Sequence, residues 1–409
     1  MDEPAVRIRA GCGTAPTGAG MELMETSYEF PVYARLGMEI AEAAGANVLT
    51  SDGRELIDFY GGHAVAALGY RHPRLVARLE EQARRLFFQT NLVEVEVRRK
   101  AHEDLARFAP TGMDRVFMVN SGAEANENAL RLAFRDRERT RVVAVEGGFH
   151  GRTSAAAACS HGALDKWYAF PATPFDVTFV AVDDVKAMEA AIGDDVAAVI
   201  LEPVQGLAGA RDLDPDFLRA ARTVSELHGA WLIADEVQCG MGRTGRPFAI
   251  EHAGVVPDVI TTAKGLGGGF PVGAVIARTE LVEELPKGAL GTTFGGGPLA
   301  CAMVSEVVDT LCEVGFIDRV AELGAAIRET CCVGPVVAVQ GEGLLSGLLC
   351  DRPAKTVLAA LRQRGILAGG ATNPNVVRLM PPLIIEHVHI DALRSALLSI
   401  DPLGKDATS

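Results

Sequence analysis

The sequence predicts an α/β fold: a large, mostly parallel sheet covered by helices, with a smaller α/β domain at the carboxyl end. Three observations carry this expectation. Short runs rich in Val and Ile, at 142–145, 177–182, 197–202 and 230–236, alternate with segments of helical pattern, and strands buried on both faces read as continuous apolar runs. The 409 residues exceed what one compact core usually holds. Near residue 305 the chain changes from apolar strands and Gly-rich loops to helices with Arg and Glu faces. The expected division is therefore an amino-terminal segment, 1–65, packing with the small domain, then a large domain, 66–305, and the small domain, 306–409.

Taken in order, the first twenty residues are rich in Gly, Ala, Thr and Pro and are expected to be loosely ordered. From Tyr28 to Gly69 short apolar runs alternate with turn signals, and SDGREL at 51–56 predicts a hairpin. After His72 and Pro73, the spacing of Leu75, Val76, Leu79, Ala83 and Leu86 puts one apolar stripe along a helix. RVFMVN at 115–120 reads as a strand that stops at SGAEANENALRLAF, a helix opened by Ser121 with Glu124 three residues later. That pair forms a capping box. A strand, then Ser-Gly-Ala, then a helix amino terminus also makes an anion site from backbone N–H groups and a hydroxyl, and the two readings are compatible.

The stretch 214–229 is a helix begun by Asp214 and Pro215 and closed by Gly229. Glu202 and Asp235 stand at carboxyl ends of strands, where ligands gather in such sheets; each is either a helix cap or a ligand contact. TTAKGLGGGF at 261–270 places Lys264 on a loop between the apolar runs 255–260 and 272–277. Most lysines beside glycines are surface residues. A lysine that forms an imine with an aldehyde gains from such a setting, because water-excluding walls favour its neutral amine and glycines let the backbone approach a flat ligand. An apolar helix from Pro298 to Leu311 follows GTTFGGG, and the segments at 334–350 and 376–385 complete the carboxyl-terminal domain.

Composition narrows the partners. Acidic residues outnumber basic ones by 53 to 39, a formal net charge of -14 without a basic block, which argues against nucleic acid or an anionic membrane as partner. The start MDEPAVRIRAG lacks the features of a signal peptide and no run reaches the length of a membrane span, so a cytoplasmic location is expected. Eight cysteines lie scattered without a CxxC pair or zinc-finger spacing, and read as mostly buried thiols with no metal site.

Together NSGAEAN, FHGRT, EPVQG, DEVQCGMGRTG, PDVITTAKGLGGG, TTFGGGPLACA and VRLMPPL resemble the class III aminotransferases that use pyridoxal 5'-phosphate (PLP), and among them the acetylornithine and ornithine group. The resemblance runs from about residue 30 to about 400. It implies PLP fold type I, the aspartate-aminotransferase-like fold with a mostly parallel seven-stranded sheet in the large domain. It also implies a homodimer with shared active sites and, as partners, a small-molecule amino acid and a keto acid.

Carried over by position, Lys264 matches the lysine that holds the cofactor aldehyde and later moves protons. Asp235 matches the carboxylate paired with the pyridine nitrogen. Gln238 matches the residue near the phenolic oxygen, Val237 and Phe149 those that sandwich the ring, and Ser121, Gly122 and Ala123 the phosphate cup. Thr293 matches the threonine that reaches the phosphate from a partner subunit. Arg152 and Arg378 match two carboxylate-binding arginines, an arrangement suited to a dicarboxylate such as glutamate or 2-oxoglutarate. Their plain alternative is an ion pair with a nearby acid.

The chain departs from the group at three places. EPVQG is normally followed by a glutamate that pairs with the second arginine when a terminal amine is processed; here the position is Leu207, which leaves Arg378 open and moves the expected donor towards an amino acid whose own carboxylate engages it. His63, in GGHAV, stands where an aliphatic residue or a tyrosine is usual, and is expected either to contact the donor or simply to pack. Gly297 replaces an asparagine to no evident purpose. An aminomutase, racemase or decarboxylase on the same scaffold, or a non-catalytic relative, are the competing readings.

Overall fold

A computed structural model of the chain describes residues 28–135 and 138–400. The first twenty residues, expected to be loosely ordered, and Cys12 fall outside the described residues. Residues 28–38 belong to a short unit of their own, made of bends without helix or strand, and residues 39–400 lie in one compact unit.

The compact unit opens with three antiparallel strands, β1 (Ile40–Ala44), β2 (Asn47–Thr50) and β3 (Glu55–Asp58), and the expected hairpin at 51–56 joins the last two. The large sheet then takes β4 (Arg115–Val119), β5 (Arg141–Val145), β6 (Asp176–Val180) and β7 (Val196–Leu201). A short hairpin of β8 (Val204–Gln205) and β9 (Arg211–Asp212) intervenes. The sheet is completed by β10 (Trp231–Asp235), β11 (Val259–Thr262) and β12 (Gly273–Ala277).

Its seven strands run β4-β12-β11-β10-β7-β5-β6, and β12 alone is antiparallel to its neighbours. The runs in β5, β7 and β10 are buried on both sides, as their lack of alternation predicts, whereas the run at 177–182 forms the edge strand β6 and is only partly buried. Val142, Ala144, Ile200 and Ile233 face the helix Gly122–Ala133, whereas Val143, Val145, Val199 and Leu232 share a core with Phe217 of the helix Pro215–His228 and Val304 of the helix Pro298–Leu311. Asp214 caps the helix Pro215–His228 through Asp216 N–H, and Gly229 ends it at φ 64°, a left-handed conformation that glycine adopts without strain.

The carboxyl-terminal elements are β13 (Val336–Glu342), β14 (Leu345–Cys350), β15 (Ile366–Leu367), β16 (Gly369–Gly370) and β17 (Val376–Leu379). They form a sheet of order β13-β14-β17-β16, while β15 pairs in parallel with β3, so that the early hairpin and the end of the chain share one sheet. The helix Pro298–Leu311 runs through residue 305 and contacts the helices Pro73–Arg85 and Glu96–Phe108. Within the helix Pro73–Arg85, Leu75 is buried but Val76 is exposed, so the apolar stripe is narrower than its spacing suggests. Five of the seven described cysteines are buried and all seven are free. Among the described residues no helix is long and apolar enough to cross a membrane, and no His, Cys, Asp and Glu cluster could hold a metal ion.

Candidate active site

The topology gathers the polar motifs at one edge. Strands β4, β5, β7, β10 and β11 are mutually parallel and each ends beside a cavity of about 690 Å³. Past β4 come Ser121, Gly122 and Ala123; past β5, Phe149 and Arg152; past β7, Glu202 and Leu207. Asp235 closes β10 and precedes Val237 and Gln238, and Lys264 follows β11. All of these line the cavity, together with His63 and Arg378. Thr293 is the exception: it is exposed and does not line this chain's cavity.

Asp235 is 2% exposed and held from several directions. Its Oδ2 accepts from Asn126 Nδ2 at 2.7 Å and lies 2.8 Å from His150 Nδ1, which donates to it as the N–H tautomer; its Oδ1 accepts from Val237 N–H at 3.0 Å. Asn126 is fixed in turn, because its Oδ1 accepts from Thr261 Oγ1 at 2.6 Å and its Nδ2 also donates to His150 O. Such a chain aims the carboxylate and keeps it an acceptor. The sequence reading missed Asn126 and His150 as supports. Both stand inside quoted motifs, but their partner is 109 and 85 residues away, and no local pattern signals that pairing.

Ser121 caps the helix Gly122–Ala133, accepting from Glu124 N–H at 3.2 Å; Glu124 reaches back one residue further than a capping box requires, to Asn120 N–H at 2.6 Å. The first N–H groups of the helix point beyond its end, as helix geometry dictates. A Cβ on Gly122 would fall 2.6 Å from the Val237 side chain, so only glycine lets the helix start lie against that residue.

Lys264 has φ 46° and opens a single 3-10 turn, Lys264–Gly267. Burial lowers the pKa of its amine, and the charges of Glu202 and Asp235 pull it partly back. Glu202, 4% exposed, accepts from Phe149 N–H at 2.8 Å and Gly206 N–H at 3.2 Å; burial first, and Asp235 second, raise its pKa.

The opposite wall is built differently. Arg378, on β17 and 2% exposed, donates from Nη1 to Gln238 Oε1 at 2.9 Å, and its buried Nε has no partner. Among the described residues no carboxylate oxygen lies within the 4.0 Å of an ion pair from it. Arg152 lies over the Trp167 ring, 5.0 Å from its centroid. His63 sits in a left-handed turn in which Gly61, Gly62, His63 and Ala64 all have positive φ. For the two residues with side chains this conformation costs about 1–2 kcal/mol each. Tyr60, which the sequence reading also missed, brings its hydroxyl to 2.6 Å from His63 Nδ1. Burial, then the charges of Arg378 and Lys264, lower the pKa of His63.

These residues fit pyridoxal phosphate. A fixed buried carboxylate matches a ring nitrogen, a lysine with a lowered pKa matches an aldehyde, a helix start matches a phosphate, and the side chains of Val237 and Phe149 offer two apolar faces.

The comparisons agree with this chemistry. Residues 31–400 match the family described as Aminotransferase class-III. The acetylornithine aminotransferase of Methanocaldococcus jannaschii is 37% identical over 385 residues, covering 91% of this chain and 96% of that protein. That of Mycobacterium tuberculosis is 41% identical over 395 residues, covering 95% and 98%. Among solved structures, ornithine aminotransferase from Toxoplasma gondii superposes with a TM-score of 0.84 at 32% identity, covering 91% of each chain. The chain belongs to the class-III aminotransferases: it has their PLP fold type I, and it is an aminotransferase that works with pyridoxal phosphate.

Proposed function

We propose that this aminotransferase takes its amino group from an amino acid whose own carboxylate engages Arg378, and passes it to a keto acid, 2-oxoglutarate, in a ping-pong cycle that returns glutamate. The observation that carries this reading is Arg378 itself, buried in the cavity wall with an unpartnered Nε and, among the described residues, no carboxylate within ion-pair distance, where Leu207 offers none. A planar guanidinium with donors to spare binds a carboxylate in two-pronged fashion. Leu207 can neither pair with it nor swing aside, so the site is open to carboxylates in both halves of the cycle.

Bound pyridoxal phosphate supplies an aldehyde that takes up the amino group and a ring that accepts the electrons left when a proton leaves the donor carbon. The protein's part is positional and electrostatic. Lys264 Nζ, favoured as the neutral amine by its surroundings, takes that proton and returns it. Asp235 would keep a proton on the ring nitrogen, and Asn126 and His150 hold one of its oxygens still. Ser121, Gly122 and Ala123 would cradle the phosphate, Val237 and Phe149 would cover the ring, and Gln238, bonded to Arg378 Nη1, would stand near the phenolic oxygen. Arg152 meets the distal carboxylate of a dicarboxylic substrate, and His63 borders the donor side chain.

The chain divides at 66–305 and 306–409, with the pairing of β3 to β15 joining residues 39–65 to the smaller part. It forms a cytoplasmic homodimer, in which Thr293 of a second copy completes the phosphate site. Phe87, Phe88, Leu92 and Phe294 are exposed, and Phe88 and Phe294 stand 5.6 Å apart, an apolar surface suited to burial in that contact. Sedimentation during turnover tests it, and a fully active monomer contradicts it.

The reading is tested by comparing N-acetylornithine, ornithine, 4-aminobutyrate and α-amino acids as donors to 2-oxoglutarate. The expected result is a preference for α-amino acids. A strong preference for N-acetylornithine contradicts it.

A further inference from the structure

Phe149, Arg152 and Leu207 line two spaces: the active cavity and a neighbouring chamber of about 820 Å³. The chamber lies between the loop after β5, the hairpin β8–β9 and the carboxyl-terminal residues Gln340, Thr372 and Asn373. Its charge runs against that of the protein. The chain as a whole carries -14, yet the chamber is lined by Arg152, Lys166 and Arg211 with Glu146 as the opposing charge. These cations are poorly neutralised. Among the described residues no carboxylate oxygen lies within 4.0 Å of Arg152 or Lys166, and Arg211 meets Asp183 at a loose 3.9 Å. Cations gathered in a concave space create a field that favours an anion there.

We propose that the chamber receives the far end of the amino donor: an α-amino acid with a side chain longer than that of glutamate, ending in a carboxylate or other anion between Lys166 and Arg211. The inference rests on the transfer reading above, with the donor's α-carboxylate at Arg378 and its amine at Lys264. From there the side chain passes the neck of Phe149, Arg152 and Leu207. An apolar residue at position 207 gives methylene groups a surface to cover, whereas a carboxylate there would place a like charge in the path of an anionic tail. Leu207 thus both opens Arg378 and admits the tail.

Two matched donor series test this with the purified holoenzyme and 2-oxoglutarate: dicarboxylic amino acids from glutamate to 2-aminosuberate, lengthened one methylene at a time, and alkyl amino acids of equal length. Beyond the length of glutamate, the dicarboxylic member is expected to exceed its alkyl partner in kcat/KM by about tenfold or more, mainly through KM. In the double variant Lys166→Gln/Arg211→Gln that ratio should fall to within about threefold of unity. Both side chains are exposed, which favours retention of the fold. Equal rates within the longer pairs of the native enzyme, or a ratio that survives the double variant, overturn the proposal while transfer from glutamate persists. No transfer from any donor, glutamate included, overturns the transfer reading along with it.

Discussion

Asp235 and Arg378 line the same cavity and are equally buried, each 2% exposed, yet one is held by three donors and the other by a single side-chain bond to Gln238. Around Asp235 the positions of Asn126, His150 and Thr261 leave the carboxylate little freedom. Around Arg378 a buried Nε has no partner, an arrangement that costs free energy until a ligand supplies the acceptor. The floor is therefore finished by the protein alone, whereas the outer wall keeps donors in reserve. Cofactor chemistry needs a fixed charge; donor choice can change with a few residues on the looser side.

The strongest way to break this contrast is at the floor. Asp235→Asn keeps the shape but removes the charge, and we expect kcat to fall by about 10²-fold or more, which steady-state kinetics will measure. Arg378→Lys should act through KM, since an ammonium cannot form the planar two-pronged pair. A loss of about 10- to 100-fold in kcat/KM for carboxylate donors, with little change in kcat, is the expected result. Leu207→Glu should reshape the wall more gently. It adds a carboxylate to the cavity that Arg378 also lines and is expected to shift the ratio of kcat/KM values towards terminal-amine donors by about tenfold, a change that a two-donor assay reads directly.

The smallest effect sharpens the contrast between two adjacent acids. Glu236 follows Asp235 but turns away from the cavity to accept from Ala249 N–H at 2.9 Å and Ile250 N–H at 2.7 Å. Burial pushes its pKa up to about 7 from an ordinary 4.5, an effect that those backbone donors only partly offset. Because the folded value is the higher one, its contribution to stability is complete below the ordinary value and is lost as pH rises through about 7. Glu236→Gln removes that loss. Melting curves should show the variant gaining on the native protein between about pH 5 and about pH 8, even if the amide, accepting one bond fewer, starts lower.

Much of this organisation is legible in the sequence. The Val- and Ile-rich runs of β5, β7 and β10 announce strands buried on both faces, Asp214-Pro215 and Gly229 bracket their helix, and Ser121 with Glu124 marks the helix start at the cavity. Cofactor-side motifs are contiguous and sit at strand ends, where topology brings them together. The supports are not legible in the same way. Asn126 and His150 meet Asp235 only after five parallel strands have aligned, and the Tyr60–His63 contact depends on a left-handed turn that two non-glycine residues would not adopt from local preference. The outer chamber is hidden for a similar reason, because Arg152, Lys166 and Arg211 stand on separate segments with no common motif.

Everything proposed for the cavity depends on the amine of Lys264 as the cofactor's covalent anchor. Borohydride reduction of the purified holoenzyme, followed by proteolysis and peptide mass analysis, tests it most directly. The expected result is a single pyridoxyl group on the peptide containing Lys264, and no such adduct in a Lys264→Ala variant. A reduced adduct on another lysine, or native turnover in that variant, would contradict it.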